Sequence, residues 1–477
     1  MLCPSSSSSV YPISRIFSLH YPHQTCVFPY LLELFASIGA ICKYWREIAW
    51  STPCLWSSLV VRVKPNRCDS QTDIVQEWLA RSGHLPLSIR IFTTVSTPQI
   101  GLAVLALADI INQYSARWFH LDLSVPQNLC QYFHAIDNHA PVLKSIRLNW
   151  HSFEEYNHSN NTERFRLTCP RLQQAFFSLY RLHDIDIRLD NLTHLYLENL
   201  CFSDYLVILR ETSQLVFFSF TGRNSVPWDR LPETLILRSL RSLRIQIMNC
   251  FAQRLLLCLS LPRLEELSLG VSRNFDPVKP IISLIKKSAC SLCSFAVIES
   301  SGPTGYKLFM IEDSMDLLQL MPSLKKLSIT VTPSLLYNPR DYLGRWNILL
   351  LLVNALSSQK AKTIHLQFLP NLEILEYTGK LCLRSGNYAE LYPLPPVDND
   401  VRGSLRLIKL DLYPAIRIPI DAISFFLSLV ERGLTVNIYS RSQDILQSSI
   451  HHYRGREGRF RQDWVDDLDL SLIQDLS

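Results

Sequence analysis

The sequence predicts a mixed α/β fold in which a small N-terminal helical module precedes an irregular solenoid of parallel strands. Three observations predict it. A short template of leucine, two residues, apolar, one residue, apolar recurs from Leu143 to Leu410. Helix-like apolar stretches separate its copies. Residues 38 to 60, IGAICKYWREIAWSTPCLWSSLV, describe an amphipathic helix, a stop and a second apolar segment.

In chain order, the serine run Ser5 to Ser9 marks residues 1–9 as a disordered start. Further on, Ile38, Ile41, Trp45 and Ile48 fall at three- and four-residue steps while Lys43, Arg46 and Glu47 lie off that face. Ser51 and Thr52 can halt the helix, Pro53 cannot easily continue it, and Leu55, Trp56 and Leu59 lead into the strand-like LVVRV. The apolar helix face needs a partner surface.

The run from Cys42 to Ser58 resembles the second half of the F-box. Cys42, Trp45, Arg46, Ile48, Ala49, Thr52, Pro53, Leu55, Trp56, Ser57 and Ser58 all fall in place. Val10, Tyr11, Pro12, Ile13, Ile16 and Phe17 echo the first half, and no glutamate follows Pro12. The resemblance implies an F-box-like module over residues 10–64 that docks on a Skp-type adaptor and through it on a cullin. It makes Pro12, Ile16, Phe17, Ile41, Cys42, Trp45, Pro53, Leu55 and Trp56 the expected adaptor contacts. Residues 65–115 are expected to form a helical linker.

The repeat is clearest in VLKSIRL (Leu143), NLTHLYL (Leu192), SLRSLRI (Leu240), RLEELSL (Leu264), SLCSFAV (Leu292) and SLKKLSI (Leu324), and continues at Leu372 and Leu405. Weaker copies begin at Leu172 and Leu215. Pro141, Pro170, Pro262, Pro322 and Pro370 introduce several copies, as residues that set a turn and cannot extend a helix. The long step from Leu324 to Leu372 suggests a copy rendered unreadable around Trp346. The unit of strand, loop, helix and turn resembles the leucine-rich repeat, with Asn199 and Asn249 near the position where that repeat carries asparagine. Such solenoids stand behind F-boxes in large fungal families, which EWLARSGHLPLSI at 77 to 89 and RWFHLDL at 117 to 123 also resemble. The array is expected over 116–440, with inward Leu195, Leu197, Leu267, Leu269, Leu327 and Ile329 alternating with outward Tyr196, Ser268 and Ser328. A charged tail follows over 441–477.

Parallel strands end on one edge, so segments that follow them emerge together. The longest polar stretches do follow strands, and they hold Trp150, Trp228, Tyr337 and Tyr388, the expected target contacts on that rim. The competing expectation has these aromatics folding back over the strand ends.

Other chemistry is sparse. The net charge of +5 is spread along the chain, apart from the block His451 to Asp475, where basic residues precede acidic ones. The thirteen cysteines follow no regular framework, which fits a reducing compartment, and Cys290 and Cys293 sit in a strand-like segment with no second pair at zinc spacing. There is no Gly-rich phosphate loop, G-x-S-x-G or H-E-x-x-H among only 14 glycines. His183, Asp184 and Asp186 are the nearest thing to an acid/base cluster. The longest apolar run, Ile348 to Leu356, is broken by Asn354 and falls short of the ~20 residues of a spanning helix.

The sequence therefore points to a non-catalytic substrate receptor of a ubiquitin ligase in the cytoplasm, the nucleus or both, without cofactor or metal. Its partners would be a Skp-type adaptor and a target protein. The competing expectation is a leucine-rich-repeat scaffold with no ligase connection, and a third is an RNA or lipid binder using the basic tail.

Overall fold

The computed structural model describes residues 43–64, 68–93, 97–149, 164–178, 182–222, 233–271, 277–299, 316–331, 369–379, 405–412, 418, 420–431, 433–440 and 443–454. Their architecture is mixed α/β, dominated by one 15-stranded sheet. Its strands lie in chain order: β1 Ser58–Arg62, β2 Leu87–Phe92, β3 Trp118–Ser124, β4 Ser145–Asn149, β5 Gln174–Ser178, β6 His194–Glu198, β7 Phe217–Thr221 and β8 Ser242–Met248. They continue with β9 Glu266–Val271, β10 Ser294–Glu299, β11 Lys326–Val331, β12 Ile374–Gly379, β13 Leu407–Leu412, β14 Thr435–Ser440 and β15 Gln443–Asp444. Every pairing in it is parallel except the last, between β14 and β15.

Register explains why the template is spaced as it is. Leu195, Phe218, Leu243, Leu267, Phe295, Leu327, Leu375 and Ile408 are direct neighbours across successive strands. Two residues on, Leu197, Phe220, Ile245, Leu269, Val297, Ile329, Tyr377 and Leu410 form a second row on the same face. All belong to one core or pack against it. Each fully buried side chain of this size contributes roughly 1.5–3 kcal/mol, shared between adjacent strands.

In most copies the opening leucine closes a turn. Its N–H donates to the carbonyl three residues back at Leu172, Leu192, Leu215, Leu264, Leu324 and Leu372. The next unit then locks on: the carbonyls of Lys144, Gln173, Thr193, Val216, Arg241, Glu265, Cys293, Lys325 and Glu373 each accept two N–H groups from the following strand. Asn191 and Asn371 side chains donate to the carbonyls of Pro170 and Pro322, a second tie between successive turns at 3.1 and 3.0 Å.

Helices cover the leucine face. The helix α1 Lys43–Trp50 precedes the sheet, α2 is Cys68–Arg81 and α3 is Pro98–Asn112. Thr97 caps α3 by accepting from the Ile100 N–H, Pro98 fits its first turn, and Ile100, Val104, Leu107 and Ile111 recur on its buried face. After β3 comes the short α4 Gln127–Cys130, and after later strands α5 Phe202–Glu211, α6 Cys250–Cys258 and α7 Val278–Ser288. The C-terminal pair is α8 Ile420–Glu431 and α9 Ile445–Arg454.

The two asparagines that looked displaced in sequence act between units. Asn249 accepts from the Ala252 N–H as N-cap of α6 and donates to the Gly222 carbonyl at 2.7 Å. Asn199, at φ 64, donates its backbone N–H to the Thr221 carbonyl and its side chain to Ser178 Oγ. From α5, the buried Tyr205 hydroxyl donates toward the carbonyls of Leu197 and Thr221 at 3.1 and 3.0 Å, linking neighbouring strand ends.

Four sequence expectations differ from this arrangement. The sheet starts at Ser58, not near residue 116, and the expected helical linker over 65–115 contains β2, whose Leu87, Ile89 and Ile91 are buried between β1 and β3. No strand intervenes between β11 and β12, which pair directly with Lys326 opposite Ile374, so no copy is missing from the sheet around Trp346. The stretch after residue 440 begins with folded elements rather than tail. There β15 pairs with β14, and α9 buries Ile445 and Leu446 while Ser449 Oγ accepts from the Ile418 N–H at 3.1 Å.

Candidate functional site

Helix α1 meets the sheet through a joint of aromatic rings. Helix α1 stops where Ser51 and Thr52 hydroxyls turn back onto the carbonyls of Glu47 and Ile48. A 3-10 turn, Pro53–Trp56, then folds Trp56 inward, where its indole N–H donates to the Ala49 carbonyl at 2.7 Å. The ring of Trp56 meets Trp78 edge-on at 4.7 Å. From α2, the Arg81 guanidinium lies 4.8 Å from the ring centre of Trp50 and 4.8 Å from that of Trp56, and pairs with Glu77. Gly83 takes the left-handed φ of 58 that favours glycine, and lies against Pro53. Trp78, Arg81 and Gly83 of the W-L-A-R-S-G segment thus form the seat for P-C-L-W.

This placement sorts the expected adaptor contacts. Pro53 is exposed, Leu55 is half-buried and Trp56 is buried, so Trp56 shapes the joint and does not present a surface. On α1, Tyr44, Ile48 and Trp50 are 69%, 39% and 49% exposed, while Ala49 is buried. None of these three exposed residues is among the expected adaptor contacts: the sequence places Ile48 on the apolar helix face and assigns Tyr44 and Trp50 no role. Pro12, Ile16, Phe17, Ile41 and Cys42 lie outside the described residues, as does the side chain of Trp45. So do all four expected target contacts, Trp150, Trp228, Tyr337 and Tyr388. The strand ends that lead toward them, Asn149, Thr221, Val331 and Gly379, do share the C-terminal edge of parallel strands.

The face of the sheet opposite the helices carries a second row of side chains. Its residues are partly exposed, except the buried Ser219. Across β2 to β12 that row reads Arg90, Asp122, Arg147, Phe176, Tyr196, Ser219, Arg244, Ser268, Ala296, Ser328 and Glu376. Its two ends differ in chemistry. On the β2 side Arg90 Nε lies 3.3 Å from Asp122, Arg147 stacks 4.1 Å over Phe176, and Tyr196 packs between Phe176 and Phe217. On the β9 side the small residues Ser268, Ala296 and Ser328 floor a shallow trough of about 260 Å³ rimmed by Arg244, Glu266 and the Lys326–Glu376 pair at 2.9 Å.

Electrostatics follow burial. Desolvation raises the Asp122 carboxyl above its ordinary value even though Arg147, Arg90 and a Ser124 hydrogen bond oppose it. Desolvation, helped by Lys144, lowers His120, which is therefore neutral at pH 7. The Tyr196 phenol is raised by burial although Arg244 and Arg147 both pull it down, which puts the two guanidiniums within electrostatic reach of one ring.

The acid/base candidates are bound up in local pairs. His183 Nε2 lies 3.3 Å from Asp184, Asp186 faces Arg166 at 3.6 Å, and Asp204 accepts from the Leu182 N–H. His183, Asp186, Asp204 and Glu211 line a surface depression of about 330 Å³. Burial pushes the Cys290 thiol up, away from the thiolate that metal binding needs. Among the described residues no cluster of His, Cys, Asp and Glu could hold a metal ion, and no helix is long and apolar enough to cross a membrane. Compared with known proteins, the chain matches no family model and no curated sequence.

Proposed function

We propose that this chain is the substrate-recognition subunit of a Skp/cullin/F-box ubiquitin ligase, bridging a Skp-type adaptor and a target protein. The observation that carries the reading is the exposed apolar surface of α1, Tyr44, Ile48 and Trp50, on the segment that resembles the second half of the F-box. Three large apolar groups on an eight-residue helix are a surface in need of a partner. The strand-by-strand order of the sheet and its repeated turns support reading the rest as a leucine-rich-repeat-like solenoid, whose helix-free face is the natural place for the target. Such a receptor performs no bond chemistry. It raises the effective concentration of target lysines near an activated ubiquitin, in the cytoplasm or nucleus.

One observation favours the second reading, a repeat scaffold with no ligase connection. Trp56 donates its indole N–H to the carbonyl seven residues earlier, and Trp118 does the same to Ile111. Both tryptophans also stand three residues before a buried inner-row residue of a strand, Leu59 and Leu121. Trp56 is then explained as an anchor of the array.

Co-precipitation of the full chain with a purified Skp-type adaptor separates the two. The receptor reading expects a stable complex that Ile48→Glu dissolves without changing the melting temperature. A wild-type chain that leaves the adaptor unbound supports the scaffold.

A further inference from the structure

The β4 to β8 stretch of the helix-free face has a chemistry of its own. Three aromatic rings from three strands lie in contact there. Phe176 and Tyr196 have ring centres 6.2 Å apart, and Phe217, from the adjoining row, is 5.0 Å from Tyr196. All three are partly exposed, although the inner face has ample apolar residues for the core. Stability alone does not call for such a platform. A guanidinium stands at each end, Arg147 on β4 and Arg244 on β8.

The charges are unequal. Asp122 lies within ion-pair distance of Arg90, whereas among the described residues no carboxylate comes that close to Arg147 or Arg244. Arg147, held 4.1 Å over the Phe176 ring beside its cross-strand neighbour Asp122, keeps its planar donor fork oriented for an incoming carboxylate. The span is also defined. From β4 to β8 are four strand spacings, roughly 19 Å at ~4.8 Å each, which an extended peptide of about six residues covers at ~3.3 Å per residue.

We infer that this platform binds an extended peptide segment of a partner protein, running across the strands, with acidic side chains at both ends for Arg147 and Arg244 and apolar or aromatic side chains between them. The inference rests on the receptor reading for its biological sense, since it names the class of target segment. Its chemistry is independent of the adaptor.

Fluorescence anisotropy of the full chain tests it. The probe is a fluorescein-labelled peptide of about seven residues with glutamate at both ends and tyrosine at alternate positions between. Saturable binding is expected, weakened about tenfold by Arg147→Gln or Arg244→Gln, unchanged by Lys409→Gln on the distant β13, and lost when the peptide ends are lysine. The lysine-ended peptide needs no protein variant, so the comparison survives even where a substitution disturbs folding. Absence of saturable binding, equal affinity for the lysine-ended peptide, or indifference to both arginine substitutions in chains of unchanged melting temperature overturns the inference. Displacement of the probe by single-stranded polyuridylate more effectively than by polyglutamate overturns it in favour of RNA. Failure in any of these ways leaves adaptor capture by α1 untouched, and loss of adaptor capture leaves this binding untouched.

Discussion

Along its inner rows the sheet repeats leucine, isoleucine, valine and phenylalanine with few departures from Leu59 to Ile438. One residue further on each strand, the outer row changes from Arg90 and Asp122 through Phe176 and Tyr196 to Ser268, Ala296 and Ser328. The two faces share a backbone and a register, so geometry does not account for the difference. Inner side chains must fill the space between strands and helices at close-packed density, which leaves few choices. Outer side chains meet solvent or a ligand, and they vary from strand to strand. The fold is written on one face, and the other is the one proposed to meet a partner.

The comparison breaks most visibly in a pair of neighbouring substitutions. Leu267→Ala, on the inner row, should cost about 2–5 kcal/mol, while Ser268→Ala, one residue away on the outer row, should stay within about 0.5 kcal/mol. Urea midpoints of the two variants check this. A similar loss in both would mean that the outer row is packed as tightly as the inner.

Gly270 marks a place where the backbone itself is constrained. A Cβ there would collide with the Gln246 carbonyl oxygen, beside the bulge in β8 between Ile245 and Met248. Gly270→Ala should cost about 1–3 kcal/mol by overpacking, measured as a fall in melting temperature. Neutrality would mean that the bulge relaxes freely.

Asn249 sharpens the comparison between units. Removing its cap on α6 and its bond to Gly222 by Asn249→Ala should cost about 1–2 kcal/mol. Asn199→Ala, at a site with no helix cap to lose, should cost less. Thermal unfolding that ranked the two in the reverse order would contradict these roles.

The smallest effect is one of pH. His120 has its folded pKa lowered below 6.5 by desolvation and Lys144, so the folded state binds protons more weakly than the unfolded chain. The stability linked to it is complete above pH 6.5 and declines as pH falls from 6.5 through the lowered value. His120→Gln should therefore lose less melting temperature than the wild type between pH 7.5 and pH 5.5. An equal loss would place the acid sensitivity elsewhere.

Much of the sheet was legible because leucine both closes the turn and precedes two inward residues, as at Leu192, Leu264 and Leu324. Where another residue holds that anchor position, the template fails to show. It is Trp56 for β1, Pro86 for β2, Trp118 for β3 and Gly433, at φ 84, for β14. Pattern reading therefore divided the start of the sheet into a module and a linker. The joint was half legible: W-L-A-R-S-G and P-C-L-W stood out as motifs, but only folding brings Arg81 between Trp50 and Trp56. The aromatic platform was hidden, because Phe176, Tyr196 and Phe217 are about twenty residues apart in sequence and meet through strand register.

Peptide-resolved maleimide labelling of single cysteine substitutions tests the division between the faces most directly. Ser268→Cys and Ser328→Cys on the outer row are expected to react at close to the rate of a free thiol. Leu267→Cys on the inner row is expected to react only through unfolding, and so to slow in step with stability. Outer cysteines as protected as the inner one would show that this face is covered, and would contradict its assignment as the surface that meets a partner.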